Sequence, residues 1–495
     1  MGLVFVGVSV LATLLLVALN SEVSRSFPYL FLLPWILLLF LVLLIPSVYL
    51  YKKGKFTLSD PIMFAGWLYF FPAFVIGGIA LSVGWSQPYF LDYIQDAEIN
   101  LPWTMVLIIL GYAGLCIGYF LPVGEVAGRL IGDYFKIMKE PPVSAFSVPG
   151  VVLVLLGMLN SALALALGVI GYQGSKEITS YDGLLFLSTL FWLEGTFILW
   201  YVVFRRPKAS VSTYAIIALL VSTSLFKALF AGNRGSLLQS FIVVVLAFVL
   251  SGRLIRKKHV VIGAALFGFL LLIGMIYGTT FRNIRRNGDG GGIGDYTNNV
   301  IETITRVSNS SSMEAVEFGL TNFAERIDVV SSLAVVVSNY EELAPYEASY
   351  GLNDNIQKDF VTTFVPRVLW NDKPLASDAR RYGELYFDYG ETSFAMTSIG
   401  DLLRNYGVSG VFLGMLLLGI LVRTVYRALI ENREPSVARA TLYYMLLVSV
   451  SYEGFYGLIF PFTLKIGITS VIGILIAVFL ANRIYSSPVK ALQEG

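Results

Sequence analysis

Histidine is almost missing from this chain of 495 residues: the one example, His259, lies in the basic run RLIRKKH. That inventory excludes a histidine triad, a histidine metal site or a histidine general base anywhere else. Cysteine is equally scarce. Cys116, inside an apolar run, can form neither an internal disulfide nor a cysteine metal cluster, and reads as a small buried hydrophobe. No GxxxxGK[ST] loop occurs and no polar domain is large enough to hold a nucleotide, so ATP-driven work is not expected. Charge is thin as well. Charged residues make up 14% of the chain, against about 25% in ordinary soluble domains. Hydrophobic residues reach 56% and mean hydropathy is +0.73, which marks an integral membrane protein.

What is present is a succession of long apolar runs. About 20 apolar residues carry a helix across the hydrocarbon core, where every backbone polar group must be satisfied internally. Runs of that kind lie near 2–20, 29–50, 62–83, 102–122, 148–170, 184–204, 211–230, 236–250, 260–280, 408–428, 438–458 and 464–482, which predicts an all-α polytopic protein of about twelve transmembrane helices. The first run, Leu3 to Leu19, lacks a basic leader and a small-residue cleavage site and reads as a retained span. Lysine and arginine fall unevenly: nineteen lie in alternate connections and the C-terminal tail, four in the short connections on the other side. By the positive-inside rule both termini are expected in the cytoplasm. Three parts follow: spans one to nine over 1–281, a large outward segment over 282–406, and spans ten to twelve with a cytoplasmic tail over 407–495.

The outward segment opens on the glycine-rich stretch NGDGGGIGDY and continues into amphipathic patterns such as MEAVEFGLTNFAERIDVVSSLAVVVSNYEEL, whose spacing predicts helices that lie on or cap the membrane domain. A loop this long and this rich in aliphatic and aromatic residues is the expected active-site element. No internal repeat of clear period is visible, so an inverted-repeat transporter has no support.

With histidine, metal and nucleotide removed, an outward site without a cofactor must use carboxylates, Tyr, Lys or Arg. Arg234, between glycines in AGNRGS, sits where a charge at membrane depth points to function. Lys227 lies deeper on nearly the same helix face, and Glu194 is a further charge in the middle of span six. Arg282, Arg285 and Arg286 end the ninth span; guanidinium groups pair bidentately with phosphate, and several can hold a diphosphate. Arg367 and Lys373 flank Trp370 in FVPRVLWNDKP, and Arg380, Arg381 and Glu384 follow in SDARRYGELYFDYG. Cations suit phosphates, and aromatic platforms beside polar groups suit sugar rings.

Three of these stretches, in order, resemble the O-antigen and exopolysaccharide repeat-unit polymerase family, which is related to the O-antigen ligases. They are the GNRG turn at Gly232 to Gly235, PRVLWNDKP at Pro366 to Pro374, and SIGDLLRNYGVSGVFLG at Ser398 to Gly414, which is similar to the family's GE-x-Y-x-N-[FY]-G-x-x-G pattern. Asp401 stands where that pattern has glutamate and Leu403 where it has tyrosine. The resemblance implies an enzyme of the inner membrane, working on its outer face without a cofactor. There the growing glycan leaves its undecaprenyl-diphosphate carrier for a sugar hydroxyl of the next lipid-linked repeat unit. Its partners would be that lipid-linked oligosaccharide, membrane lipid and a chain-length regulator protein, with no nucleic acid. On this reading Arg234, Arg282, Arg285, Arg367 and Lys373 bind the diphosphate. Asp401, or else Glu384, is the catalytic carboxylate that orients and deprotonates the acceptor hydroxyl. Trp370, Tyr382, Tyr386, Arg380 and Arg381 hold the sugars. The competing readings are a surface-polymer ligase or another polyprenyl-dependent glycosyltransferase, a transporter of the same lipid-linked sugars, and a non-enzymatic assembly protein.

Overall fold

The computed structural model describes all residues except 1–26, 135–139, 171–180, 232–233, 254, 287–292, 310–311, 366–368, 371, 375, 391–393, 434–435 and 492–495. Helices supply all the regular structure among the described residues, as burial in lipid requires of a chain that cannot leave backbone groups unpaired. In chain order they are α1 (Leu33–Lys52), α2 (Pro61–Ser82), α3 (Ala97–Phe120), α4 (Pro122–Tyr134), α5 (Ser147–Ala166), α6 (Asp182–Arg205), α7 (Val211–Ala231), α8 (Arg234–Leu250), α9 (Lys257–Arg286), α10 (Ile293–Asn309), α11 (Ser312–Ile327), α12 (Val329–Leu343), α13 (Asn355–Phe364), α14 (Ala379–Phe387), α15 (Ser398–Leu429), α16 (Val437–Ser449) and α17 (Tyr456–Ala491). Nine of them, α1, α2, α3, α5, α6, α7, α9, α15 and α17, are long and apolar enough to cross a membrane, and α8 and α16 are shorter apolar helices. The expected span at 2–20 lies outside the described residues. The chain is a helical membrane protein.

Small residues let the bundle close. A side chain at Gly114 of α3 would stand 2.5 Å from the Phe412 carbonyl of α15, and Gly118 is pressed the same way against Leu416. Glycine at this four-residue spacing is how helices approach backbone to backbone in lipid. The contact continues along α4, where Gly124 and Gly128 meet Arg423, Thr424 and Arg427. Helix α6 is buried on all sides from Trp192 to Leu199, whereas α17 exposes Phe460, Leu464, Ile468, Leu475 and Phe479 at helical spacing. Apolar side chains left open along such a stripe face hydrocarbon.

The expected span at 408–428 has a feature that the sequence concealed. Gly407 has φ +66° and ψ −163°, and the chain reverses there. In a straight helix residues 402 and 414 would lie about 18 Å apart, yet Leu402 packs on Gly414, and Ile399 and Val411 both reach Gly111 of α3. Residues 398–406 are therefore a short arm folded back along the longer one, and only glycine accepts the left-handed turn without strain. The expected span at 438–458 also changes. Helix α16 stops at Ser449 and α17 begins at Tyr456, and the break between them supplies acceptors. The Tyr452 carbonyl accepts from Ser398 N (3.0 Å) and the Glu453 carbonyl from Thr397 N (3.3 Å), which moors the foot of the short arm.

Segment 282–406 lies over this end of the bundle. Helix α12, buried from Val329 to Val337, sends Leu333 and Val336 onto Gly400 of the short arm. Helix α13 crosses the start of α17, with Ile356 against Gly457, and stacks Phe360 on Phe460 at 5.6 Å between ring centres. The folded arm of α15 is thereby enclosed.

Candidate functional site

The enclosed arm ends in a buried polar cluster. Asp401 lies in the first turn, where the positive helix terminus favours a carboxylate. Its Oδ1 accepts from Asn355 Nδ2 (2.9 Å), Arg404 Nη2 (3.0 Å) and Asn405 Nδ2 (3.3 Å), and its Oδ2 from the Tyr456 amide (2.8 Å). Arg404 reaches Asn355 Oδ1 (2.9 Å) with the same nitrogen, and its Nη1 donates to Glu347 Oε1. The Tyr386 hydroxyl donates to that Glu347 oxygen at 2.9 Å. The Arg404 and Asp401 side chains are 1% and 0% exposed. One guanidinium thus serves two carboxylates out of water, an arrangement that survives only when the lone pairs and protons left over find partners.

Some of those partners are missing. Arg404 Nε, the Tyr382 hydroxyl and the Ser398 hydroxyl are buried without a hydrogen bond. Asp359, on α13, accepts from the Ser377 amide at 3.0 Å through Oδ1 and is close enough to Asp401 for the two charges to repel. Burial raises the Asp359 carboxyl above the usual range, opposed by hydrogen bonding to Ser377 and by Lys358. Burial likewise pushes the Tyr382 and Tyr386 hydroxyls up, against the pull of Arg404. Buried polar atoms left over around a paired core carry a desolvation cost.

Where the structure places each expected residue is plain. Asp401 is the hub of the cluster, with all four contacts internal to the protein. Glu384 is not in it: it is exposed on α14, beside Gly390, with Arg380 and Arg381 exposed on the same helix. Tyr382 and Tyr386 correct the expectation of open sugar-stacking faces, because both are buried, ring against ring at 5.1 Å, with Phe387 and Phe455 around Tyr382. The pattern that suggested a platform, aromatics four apart on an amphipathic helix, equally describes a core-facing stripe. Trp370 is 37% exposed and Leu369 77%. Lys373 Nζ donates to the Val365 carbonyl at 3.0 Å, closing its own loop. Arg367 lies outside the described residues, as do the side chains of Arg234, Arg282 and Arg285, which belong to α8 and α9. Lys227 and Glu194 do not face each other: Lys227 Nζ lies 4.2 Å from the Trp192 ring centre, and the Glu194 carboxyl lies against Gly473 of α17. Sequence reasoning missed Arg404, Glu347, Asn355, Asn405 and Asp359. Arg404 and Asn405 sat in a motif already singled out, but the other three carry no periodic signal.

Among the described residues no group of His, Cys, Asp and Glu is placed to hold a metal ion.

Fold and site together define a helical membrane protein with a helical segment folded over one end of its bundle and a buried carboxylate–guanidinium cluster beneath it. The chain belongs to the family of the domain of unknown function DUF8712, whose model matches residues 155–431, more than half of its length. No curated protein and no solved structure matches it.

Proposed function

We propose that the protein is a polymerase of polysaccharide repeat units. On this reading it crosses the inner membrane twelve times with both termini in the cytoplasm, and segment 282–406 lies on the outer face. There it transfers the growing glycan from undecaprenyl diphosphate to a sugar hydroxyl of the next lipid-linked unit. The observation that carries this reading is convergence. The stretches flanking PRVLWNDKP, through Asn355, Asp359 and Tyr386, meet the SIGDLLRNYG stretch, through Asp401, Arg404 and Asn405, in one enclosed polar cluster. Arg234, Arg282, Arg285 and Arg367 neutralise the donor diphosphate and so ease the charge that develops on the leaving group. Trp370, Arg380 and Arg381, exposed beside the cluster's covering helices, meet the sugars.

The test is chain length on cells carrying Arg234→Ala or Asp401→Asn at equal membrane abundance. The expected outcome is loss or shortening of the polymer in both. A wild-type length distribution from both variants overturns the site. Purified protein that cannot extend two lipid-linked repeat units overturns the activity.

A further inference from the structure

Helix α13, in the segment that covers the bundle, turns its polar side inward and its apolar side outward. Asn355, Asp359, Thr362 and Thr363 recur at helical spacing and are all buried. Asn355 bonds Asp401 and Arg404, Asp359 accepts from the Ser377 amide, and Thr362 donates to the Lys358 carbonyl. On the other side Phe360 and Val361 are 43% and 63% exposed, and Phe364 is partly exposed. A helix capping a protein in water shows the reverse arrangement.

We propose that α13 is inserted in the membrane: its Phe360, Val361 and Phe364 face lies among phospholipid acyl chains, and its polar face closes the buried cluster. The inference does not depend on the polymerase reading. Continuity with a spanning helix carries it. Phe460, Leu464 and Ile468 form the open apolar stripe of α17, and Phe460 is the member nearest that helix's start. Phe360 stacks on the Phe460 ring at 5.6 Å between centres, and Phe364 meets the same ring edge-on at 5.9 Å. The outward rings of α13 therefore extend the stripe that faces hydrocarbon, at the level of the first turn of α17.

The polar residues nearest this face fit the same placement. Ile356 lies against Gly457, and Phe360 and Phe364 reach Phe460, so α13 follows α17 inward as it runs. Gln357, exposed on the outward side, belongs to the first turn of α13, the end nearer the start of α17. Lys358 turns its Nζ back to the Gly351 carbonyl, away from the apolar rings. Amphipathic helices at an interface bury their apolar face about 5–10 Å into the boundary between headgroups and acyl chains. A helix is about 10 Å thick, so α13 alone separates the Asp401–Arg404 cluster from lipid on this side.

The native protein in vesicles of phosphatidylethanolamine and phosphatidylglycerol, doped with a phospholipid carrying a photoactivatable diazirine in its acyl chain, gives the first readout. Adducts are expected on Phe360, Val361 or Phe364, as on Leu464 and Ile468. Adducts on the α17 stripe with none on α13 overturn the proposal, and no variant is needed. Spin labels at Val361→Cys, Ile468→Cys and Glu341→Cys, each in a Cys116→Ala background, give the second. Glu341 is an exposed carboxylate of α12. The label at 361 is expected to collide with dissolved oxygen in preference to a water-soluble nickel complex, as at 468 and opposite to 341. A label at 361 that prefers the nickel complex overturns the proposal by placing α13 in water. One that is immobile and shielded from both quenchers overturns it by showing protein on that face.

Discussion

Helix α15 carries an ionic cluster near each end, and the two are built differently. At the folded arm, Arg404, Asp401 and Glu347 are 1%, 0% and 10% exposed and lie under α12, α13 and α14. At the far end, Arg423 pairs with Glu431 at 2.7 Å and Lys55 with Glu431 at 3.1 Å, while the Tyr119 hydroxyl donates to Asp60 at 2.8 Å. There the chains open to water: Lys55 is 57% exposed and Glu125, 3.8 Å from Arg423, is 42% exposed. The far end joins helix termini at a rim, where water shares the task of satisfying charge. The near end has no such help, so its geometry must supply every partner. Ion pairs thus signify a latch in one place and an enclosed core in the other.

The largest effect expected from this contrast is that of Arg404→Ala. It strands two buried carboxylates and should cost about 3–5 kcal/mol, seen as a lowered unfolding midpoint in detergent. Next is Gly118→Ala between the two ends, where the added carbon meets the Leu416 backbone; about 1–3 kcal/mol is expected, and both ends should loosen together. Arg423→Ala should cost less, about 1–3 kcal/mol, because its main partner Glu431 keeps the ion pair with Lys55. Equal losses from Arg404→Ala and Arg423→Ala would erase the distinction between enclosed core and latch.

The smallest effect concerns Asp328, a buried carboxylate at the start of α12 whose partners are the Ser331 amide (3.0 Å) and the hydroxyls of Ser331 (2.8 Å) and Ser86 (2.9 Å), with no cation among them. Burial raises it from 3.8 to about 6. The folded protein therefore holds this proton to higher pH than the unfolded chain does. Its contribution favours folding at low pH and is lost as pH rises through about 6. Asp328→Asn should flatten that part of a stability profile measured from pH 4 to 7, and an unchanged slope would assign the dependence to other groups.

Much of the fold was legible because hydrocarbon imposes one rule on every span. A run such as 29–50 or 260–280 has no alternative to helix, and α1 and α9 lie on those runs. What misled was pattern without direction. SIGDLLRNYGVSGVFLG reads as a continuous approach to a span, yet Gly407 turns it back, since nothing in an apolar period distinguishes one long helix from two antiparallel arms. Tyr382 and Tyr386 misled for the same reason: spacing sets a face and leaves open whether that face meets a ligand or the core.

Composition and hydropathy alone made this a helical membrane protein with a single histidine, and the resemblance of SIGDLLRNYGVSGVFLG to a family pattern picked out Asp401. The first follows from local properties, transfer free energy and residue inventory, which need no knowledge of what lies beside what. Tertiary structure alone decided that Asp401 is spent on Arg404, Asn355, Asn405 and Tyr456, and that Glu384 stands apart. Hydrogen bonds form between residues up to 57 positions apart in this cluster, and which pairs form is fixed by how the short arm, α13 and α17 pack.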